Sequence, residues 1–132
     1  MSHILVIDDD ALLREFIMEW LRRAGHEVTA LSSGAKADEV LQHARFDLVL
    51  TDLYMPSKDG LETISVVKRR APETPVIVMT ASRDDPAMRL MMLLGATALL
   101  QKPFQETELE AALQAALSDS HGPGTEAFGL QL

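Results

Sequence analysis

Ile4-Leu5-Val6-Ile7-Asp8-Asp9-Asp10 decides how the rest of the chain is read: four apolar residues in a row, closed abruptly by carboxylates. A continuous apolar run of this length, ended by charge, is the pattern of a strand buried on both faces. The same pattern recurs three times. Asp52 follows Leu48-Val49-Leu50-Thr51, Thr80 follows Val76-Ile77-Val78-Met79, and Lys102 follows Ala98-Leu99-Leu100-Gln101. If the runs are parallel strands, Asp8, Asp9, Asp52, Thr80 and Lys102 all lie at one edge of one sheet. Carboxylates gathered there suit a hard divalent cation, and a hydroxyl and an ammonium suit a phosphate.

Between these runs the periodicity changes to that of helices. Leu13, Phe16, Ile17, Trp20 and Leu21 recur at three and four residues, with Asp10 placed to cap the helix and Gly25 to end it. Val28 to Leu31 reads as a second strand. Ser33 to His43 reads as a second helix, with Ala37, Val40 and Leu41 inward. Asp47 to Thr51 is the third strand, residues 52 to 59 form a loop containing Pro56, and Gly60 starts a helix that ends before Pro72 and Pro75. After the fourth strand, Val76 to Met79, Asp85-Pro86 pairs a capping acid with a proline at the first helical position. Gly95 closes that helix. Thr97 to Gln101 is the fifth strand and Glu106 to Leu117 the fifth helix. Five strand–helix units without a hairpin signal predict an α/β fold: a doubly wound parallel sheet with helices on both faces. Ligands in such sheets bind beyond the carboxyl ends of the strands, where the winding reverses.

Composition narrows the class. The 132 residues suit one domain, and the absence of cysteine excludes disulfides, thiolate metal sites and thiol catalysis. Twenty acidic against 12 basic residues, a net charge of −8, argue against nucleic-acid or membrane binding by this domain. The first apolar run is too short for a signal peptide, and no stretch approaches the roughly 20 apolar residues of a membrane span. A cytoplasmic protein is the expectation. Residues 118 to 125, with Gly122-Pro123-Gly124, read as a linker, and Ala127 to Leu132 as a short apolar end. The expected division is therefore a folded domain over 1–118 and a flexible tail or linker stub over 119–132.

Adjacent Asp8 and Asp9 repel each other unless a cation intervenes. Asp52, from an independent strand end, adds the second carboxylate source that Mg²⁺ needs. Lys102 is followed by Pro103-Phe104, and a cis Lys102–Pro103 bond would aim the ammonium into the crevice. With Leu53-Tyr54-Met55-Pro56 and Asp59-Gly60 after Asp52, Ala81 after Thr80, and Gly95-Ala96 before the fifth strand, these motifs span about residues 3 to 117. In order and spacing they resemble the receiver domain of bacterial two-component response regulators, of the chemotaxis-regulator kind.

The resemblance implies a flavodoxin-like sheet of strand order 2-1-3-4-5 and a role for each matching residue. Asp52 corresponds to the phosphoacceptor. Asp9 is the direct Mg²⁺ ligand, Asp8 helps hold the ion through water, and the backbone carbonyl of Tyr54 is a further ligand. Thr80, with Ala81 beside it, corresponds to the switch that closes on the phosphoryl group, and Lys102 to its cationic partner. The implied partners are a sensor histidine kinase or histidine phosphotransfer protein, and a downstream output protein or covalently linked output domain. Such a protein is a signalling switch rather than an enzyme, although it catalyses its own phosphotransfer and slow dephosphorylation.

One position departs from the family. Leu99 stands where an aromatic residue is usual, which puts the aromatic form of output coupling in doubt. Met88, Met91 and Met92 crowd the fourth helix and cannot all face inward. Adaptable methionine on an exposed face suits partner binding. Met88, Met92 and Leu99 are therefore expected on an output face made by the fourth helix, fifth strand and fifth helix, available for docking or a phosphorylation-dependent homodimer. Arg14, Glu15, Glu19, Arg22 and Arg23 make a charged face on the first helix, which in this family docks the kinase. A haloacid-dehalogenase phosphohydrolase also starts with Asp-x-Asp but needs a longer chain and a later acidic pair. A Rossmann domain would need a glycine-rich turn after the first strand. A receiver-like interaction module that is never phosphorylated is the alternative reading.

Overall fold

The computed structural model describes residues 2–54 and 60–119. The expectations for Met55, Pro56 and Asp59, and for the segment from 120 onward, lie outside the described residues. Elements alternate along the chain: β1 (His3–Ile7), α1 (Ala11–Arg23), β2 (Glu27–Leu31), α2 (Ala37–His43), β3 (Leu48–Asp52), α3 (Gly60–Arg70), β4 (Val76–Thr80), α4 (Pro86–Leu93), β5 (Ala98–Gln101) and α5 (Glu106–Asp119). The five strands form one parallel sheet in the order β2-β1-β3-β4-β5, as expected. No helix among the described residues is long and apolar enough to cross a membrane.

Alternation along each strand divides the core into two layers. Ile4, Val6, Leu48, Leu50, Ile77 and Met79 pack against Ile17 and Leu21 of α1 and Leu109, Leu113 and Ala116 of α5. Leu5, Ile7, Val49, Val76 and Val78 face the opposite way, onto Ala37, Ile64, Val67, Met88 and Met91 from α2, α3 and α4. Both faces of the central strands are thereby covered, which is why their sequences are unbroken apolar runs.

Local signals fix the ends of the helices. Asp10 caps α1, its carboxylate accepting from the Leu13 N–H at 3.1 Å. Asp85 caps α4 with Pro86 in the first turn. Gly25 and Gly95 follow α1 and α4 with φ of 96° and 114°, a region that costs glycine little and other residues more.

Two expectations require correction. The helix expected over Ser33 to His43 is a 3₁₀ turn at Gly34–Lys36 followed by α2. Ser33 accepts from the Ala35 N–H at 3.2 Å, and this local bond makes the tight turn before the α-helix begins. Met88 does not lie on a surface: it is 4% exposed, in the core beneath α4. Positions 88 and 91 share the inward face, leaving Met92 43% exposed and Leu99 partly buried against the same core. Phe16, on the apolar stripe of α1, is 49% exposed. That stripe is wider than the sheet can cover.

Candidate functional site

Strand register sets the site. Ile7 is level with Thr51, Asp52 with Met79, and Thr80 with Gln101. The next residues after Ile7 and Thr51, Asp8 and Asp52, therefore lie side by side. Thr80 and Lys102 each extend one step beyond their neighbour's end. All five residues singled out at strand ends meet at one edge.

Ligand oxygens of Asp8, Asp9 and Asp52 lie within 4.8 Å of one another. Asp9 is exposed, whereas Asp8 is fully buried. The Lys102 ammonium sits between the two inner carboxylates, 3.2 Å from Asp8 Oδ2 and 3.1 Å from Asp52 Oδ1. The Lys102–Pro103 bond is cis. Asp8 Oδ1 accepts from the Asp10 N–H at 2.9 Å. Asp8 Oδ2 is buried and accepts no directed hydrogen bond among the described residues, so its contact with Lys102 is an ion pair. Asp52 Oδ1 also accepts from the Leu53 N–H at 3.0 Å.

Burial foremost, and then the Asp8 charge, push the Asp52 carboxyl up from 3.8 to about 6, net of the lowering effects of Lys102 and the Leu53 N–H. Burial disfavours the charged form of Lys102, but Asp52 and Asp8 together outweigh it and hold the ammonium above the usual lysine value. One lysine thus faces two inner carboxylates, with Asp9 adding a third acid at the rim. An all-oxygen donor set, with one buried oxygen short of a hydrogen bond, fits a small hard dication.

Thr80 is 3% exposed. Its hydroxyl donates to the Ser82 carbonyl at 3.0 Å and accepts from the Ser82 N–H at 3.2 Å. Ala81, next to it, is exposed. The Lys102 N–H donates to the Thr80 carbonyl at 2.7 Å, tying the two strand ends together. The Tyr54 ring is 57% exposed and leaves the site, its hydroxyl donating to Asp85 Oδ1 at 2.9 Å.

Sequence reasoning missed two features. Arg14, grouped with the solvated charges of α1, donates from Nη1 to the Asp8 carbonyl at 2.7 Å and so braces the β1–α1 loop. Its place one turn into the helix that leaves Asp8 was the available signal. The second feature is a groove of about 490 Å³ beside Lys102, walled by Leu12, Leu13 and Phe16 of α1 and by Pro103 and Phe104. Leu12 is 67% exposed, so the apolar wall continues onto the surface next to the acidic cluster.

The profile of the response regulator receiver domain matches residues 4–114. The chain is 37% identical over 121 residues to the transcriptional regulatory protein CpxR of Escherichia coli, covering 92% of this chain and 51% of that protein. It is 35% identical over 116 residues to the transcriptional regulatory protein FixJ of Bradyrhizobium diazoefficiens, covering 88% and 57%. The chain thus spans about half the length of these two relatives. Among solved structures, the chemotaxis response regulator CheY4 of Vibrio cholerae superposes with a TM-score of 0.83 at 30% identity, covering 88% of this chain and 98% of that one. The receiver domain of a sensor histidine kinase from Pseudomonas aeruginosa, solved with a magnesium ion coordinated in its active-site cleft, gives 0.82 at 26% identity, covering 89% and 98%. With this sheet order, these strand-end groups and a profile match over nearly the whole described fold, the chain belongs to the receiver domain family of two-component response regulators.

Proposed function

We propose that the domain accepts a phosphoryl group on Asp52 from a sensor histidine kinase or histidine phosphotransfer protein, with Mg²⁺ as cofactor. The observation that supports this reading above all is Lys102 Nζ lying 3.1 Å from Asp52 and 3.2 Å from Asp8, inside a cluster of three carboxylates. Asp8, Asp9, Asp52 and the backbone carbonyl of Tyr54 would hold the ion. Its contribution when bound is positive charge opposite the phosphoryl oxygens, where negative charge must be offset for a carboxylate to attack.

The chain's own groups do the rest. With a value near 6, Asp52 is mostly ionised at neutral pH and needs no base. One Asp52 oxygen forms the bond to phosphorus as the bond from phosphorus to the donor breaks, and the leaving group takes the electron pair. Lys102 turns from the Asp52 carboxylate toward the new phosphoryl oxygens, remaining close to Asp8. Thr80 gives up Ser82 to donate to the phosphoryl group, drawing Ala81 with it. The product is a mixed anhydride that water cleaves, so the signal limits itself. The surface that changes is the face of α4, β5 and α5, where Met92 and Leu99 lie. It controls a partner, a second copy or a linked output domain such as those implied by the names of the transcriptional relatives.

Intact mass after incubation with acetyl phosphate tests the reading. One added phosphoryl group is expected with Mg²⁺, none after chelation and none in Asp52→Asn. A folded wild type that gains no mass from either acetyl phosphate or a phosphorylated histidine donor protein would refute it.

A further inference from the structure

We propose that Tyr54 is a positioning residue that ties the phosphoryl site to the first turn of α4 through Asp85, and so sets how far that helix follows phosphorylation. The inference rests on the proposed role of Asp52 for its phosphorylated arm only; the tie itself is a property of the resting protein.

Tyr54 stands two residues beyond Asp52, on the loop that leaves β3 at the acidic edge, and is the chain's single tyrosine. Its ring crosses to the β4–α4 connection, where the hydroxyl donates to Asp85 Oδ1 at 2.9 Å. That oxygen already has a structural task. It accepts from the Ala87 N–H at 2.9 Å as the N-cap of α4, while the Asp85 carbonyl accepts from the Met88 N–H at 2.9 Å. One carboxylate oxygen therefore joins the loop after the phosphoacceptor to the start of a neighbouring helix. An acid at an N-cap is held by the helix it caps, so a pull on Tyr54 is transmitted to the helix end rather than to a free side chain.

The other end of the same connection is held by Thr80. Its hydroxyl engages Ser82 at 3.0 and 3.2 Å, and the Asp85 N–H reaches back to the Ser82 carbonyl at 3.3 Å. The segment from Ala81 to Asp85 thus hangs between two hydroxyls, Thr80 on β4 and Tyr54 on the β3–α3 loop. When Thr80 turns to a phosphoryl group it releases Ser82, and the segment loses that hydroxyl's hold. Tyr54 still holds Asp85. The resting position of the first turn of α4, and its travel on phosphorylation, are set by this second hold. Oxygen is shared at Asp85, so removing the tyrosine hydroxyl deletes the tie but leaves the cap intact.

Tyr54→Phe keeps the ring and the backbone carbonyl, and Asp85→Ser keeps a capping oxygen on a side chain too short to reach the phenol. Amide hydrogen exchange at residues 86–91 of the full chain is the readout, followed by mass spectrometry with and without acetyl phosphate and Mg²⁺. In the resting state, Tyr54→Phe is expected to speed exchange at the first turn of α4 about five-fold, as befits one exposed hydrogen bond to a carboxylate. Added to Asp85→Ser, it is expected to do nothing further. The exchange difference between resting and phosphorylated protein should shrink in Tyr54→Phe, at matched extents of phosphorylation. Unchanged exchange in resting Tyr54→Phe, or an undiminished effect in the Asp85→Ser background, would overturn the proposal. If wild type gains no phosphoryl group, the receiver chemistry fails but the resting-state comparison still decides the tie.

Discussion

Removing the charge of Asp52 should make the metal-free protein more stable, although it destroys the proposed phosphoacceptor. Asp52 is 9% exposed, and its folded-state value of about 6 stands above the ordinary 3.8. The folded state therefore binds this proton more tightly than the unfolded chain does. Ionised Asp52 costs stability at high pH, and the cost fades as pH falls through 6 toward 3.8. That interval, at about 1.36 kcal/mol per pH unit, amounts to about 3 kcal/mol. Asparagine avoids the cost at every pH while its amide oxygen can still accept from the Leu53 N–H and Lys102. Denaturant unfolding in EDTA at pH 7.5 should place Asp52→Asn about 1–3 kcal/mol above wild type, or roughly 3–8 °C higher in Tm for a chain of this size. The gap should narrow steadily between pH 7 and pH 5. Saturating Mg²⁺ should narrow it as well, because a ligand at 100 times its Kd adds about 2.7 kcal/mol to the form that binds it, and the carboxylate binds better than the amide. A variant no more stable than wild type at pH 7.5, or a gap indifferent to pH, would refute the view that buried, crowded acids are the source of the site's tension.

Other substitutions probe the remaining parts. Lys102→Met leaves Asp8 and Asp52 facing each other without their shared cation; phosphorylation by acetyl phosphate should slow on the order of 100-fold, and Mg²⁺ should stabilise the variant more than wild type in the same unfolding assay. Gly60→Ala would bring a methyl group to 2.7 Å from the Asp52 carbonyl and 3.0 Å from the Leu53 backbone; with backbone on the receiving side, a loss of about 2 kcal/mol or more is expected in denaturant titration. Leu12→Ser and Phe16→Ser act on the exposed wall of the groove beside Lys102. Each should leave the acetyl phosphate rate unchanged while slowing transfer from a phosphorylated histidine protein about tenfold, read by stopped-flow transfer kinetics, since only a macromolecular donor needs that wall.

The placement of the candidate site was legible because it depends on which residue ends each strand, and strand ends are marked in the sequence by a change from apolar to polar. Parallel pairing then brings Asp8, Asp52, Thr80 and Lys102 together without further instruction, since Ile7 pairs with Thr51 and Thr80 with Gln101. Asp10, Asp85, Gly25 and Gly95 were legible for a similar reason: each acts within a few residues of itself. Met88 was not. Whether a methionine on an eight-residue helix meets the core or the solvent depends on how that helix is rotated about its axis, and neighbouring methionines at 88, 91 and 92 give the periodicity little contrast. Arg14 was hidden by the same ambiguity, a charge on a charged helix whose one distinguishing feature is a contact with the Asp8 carbonyl.

The unread contacts share a destination: each ends on a connection at the site edge rather than on a strand. Arg14 reaches from α1 to the β1–α1 loop, Gln101 Nε2 reaches the Ala81 carbonyl at 3.4 Å, and Tyr54 reaches Asp85. A phosphoryl switch needs a rigid place to hold charge and a set of movable segments that sense it. The first is set by the register of a sheet buried on both faces, where a shift of one residue would misplace every core side chain at once. The second depends on single hydrogen bonds at the rim, each weak enough for one new phosphoryl contact to displace. Thr80 shows both demands in one residue. Its backbone belongs to the ladder and accepts from the Lys102 N–H, while its hydroxyl is occupied by Ser82, two residues away. The hydroxyl can therefore change partners without disturbing the strand, and the segment it releases leads directly to the cap of α4.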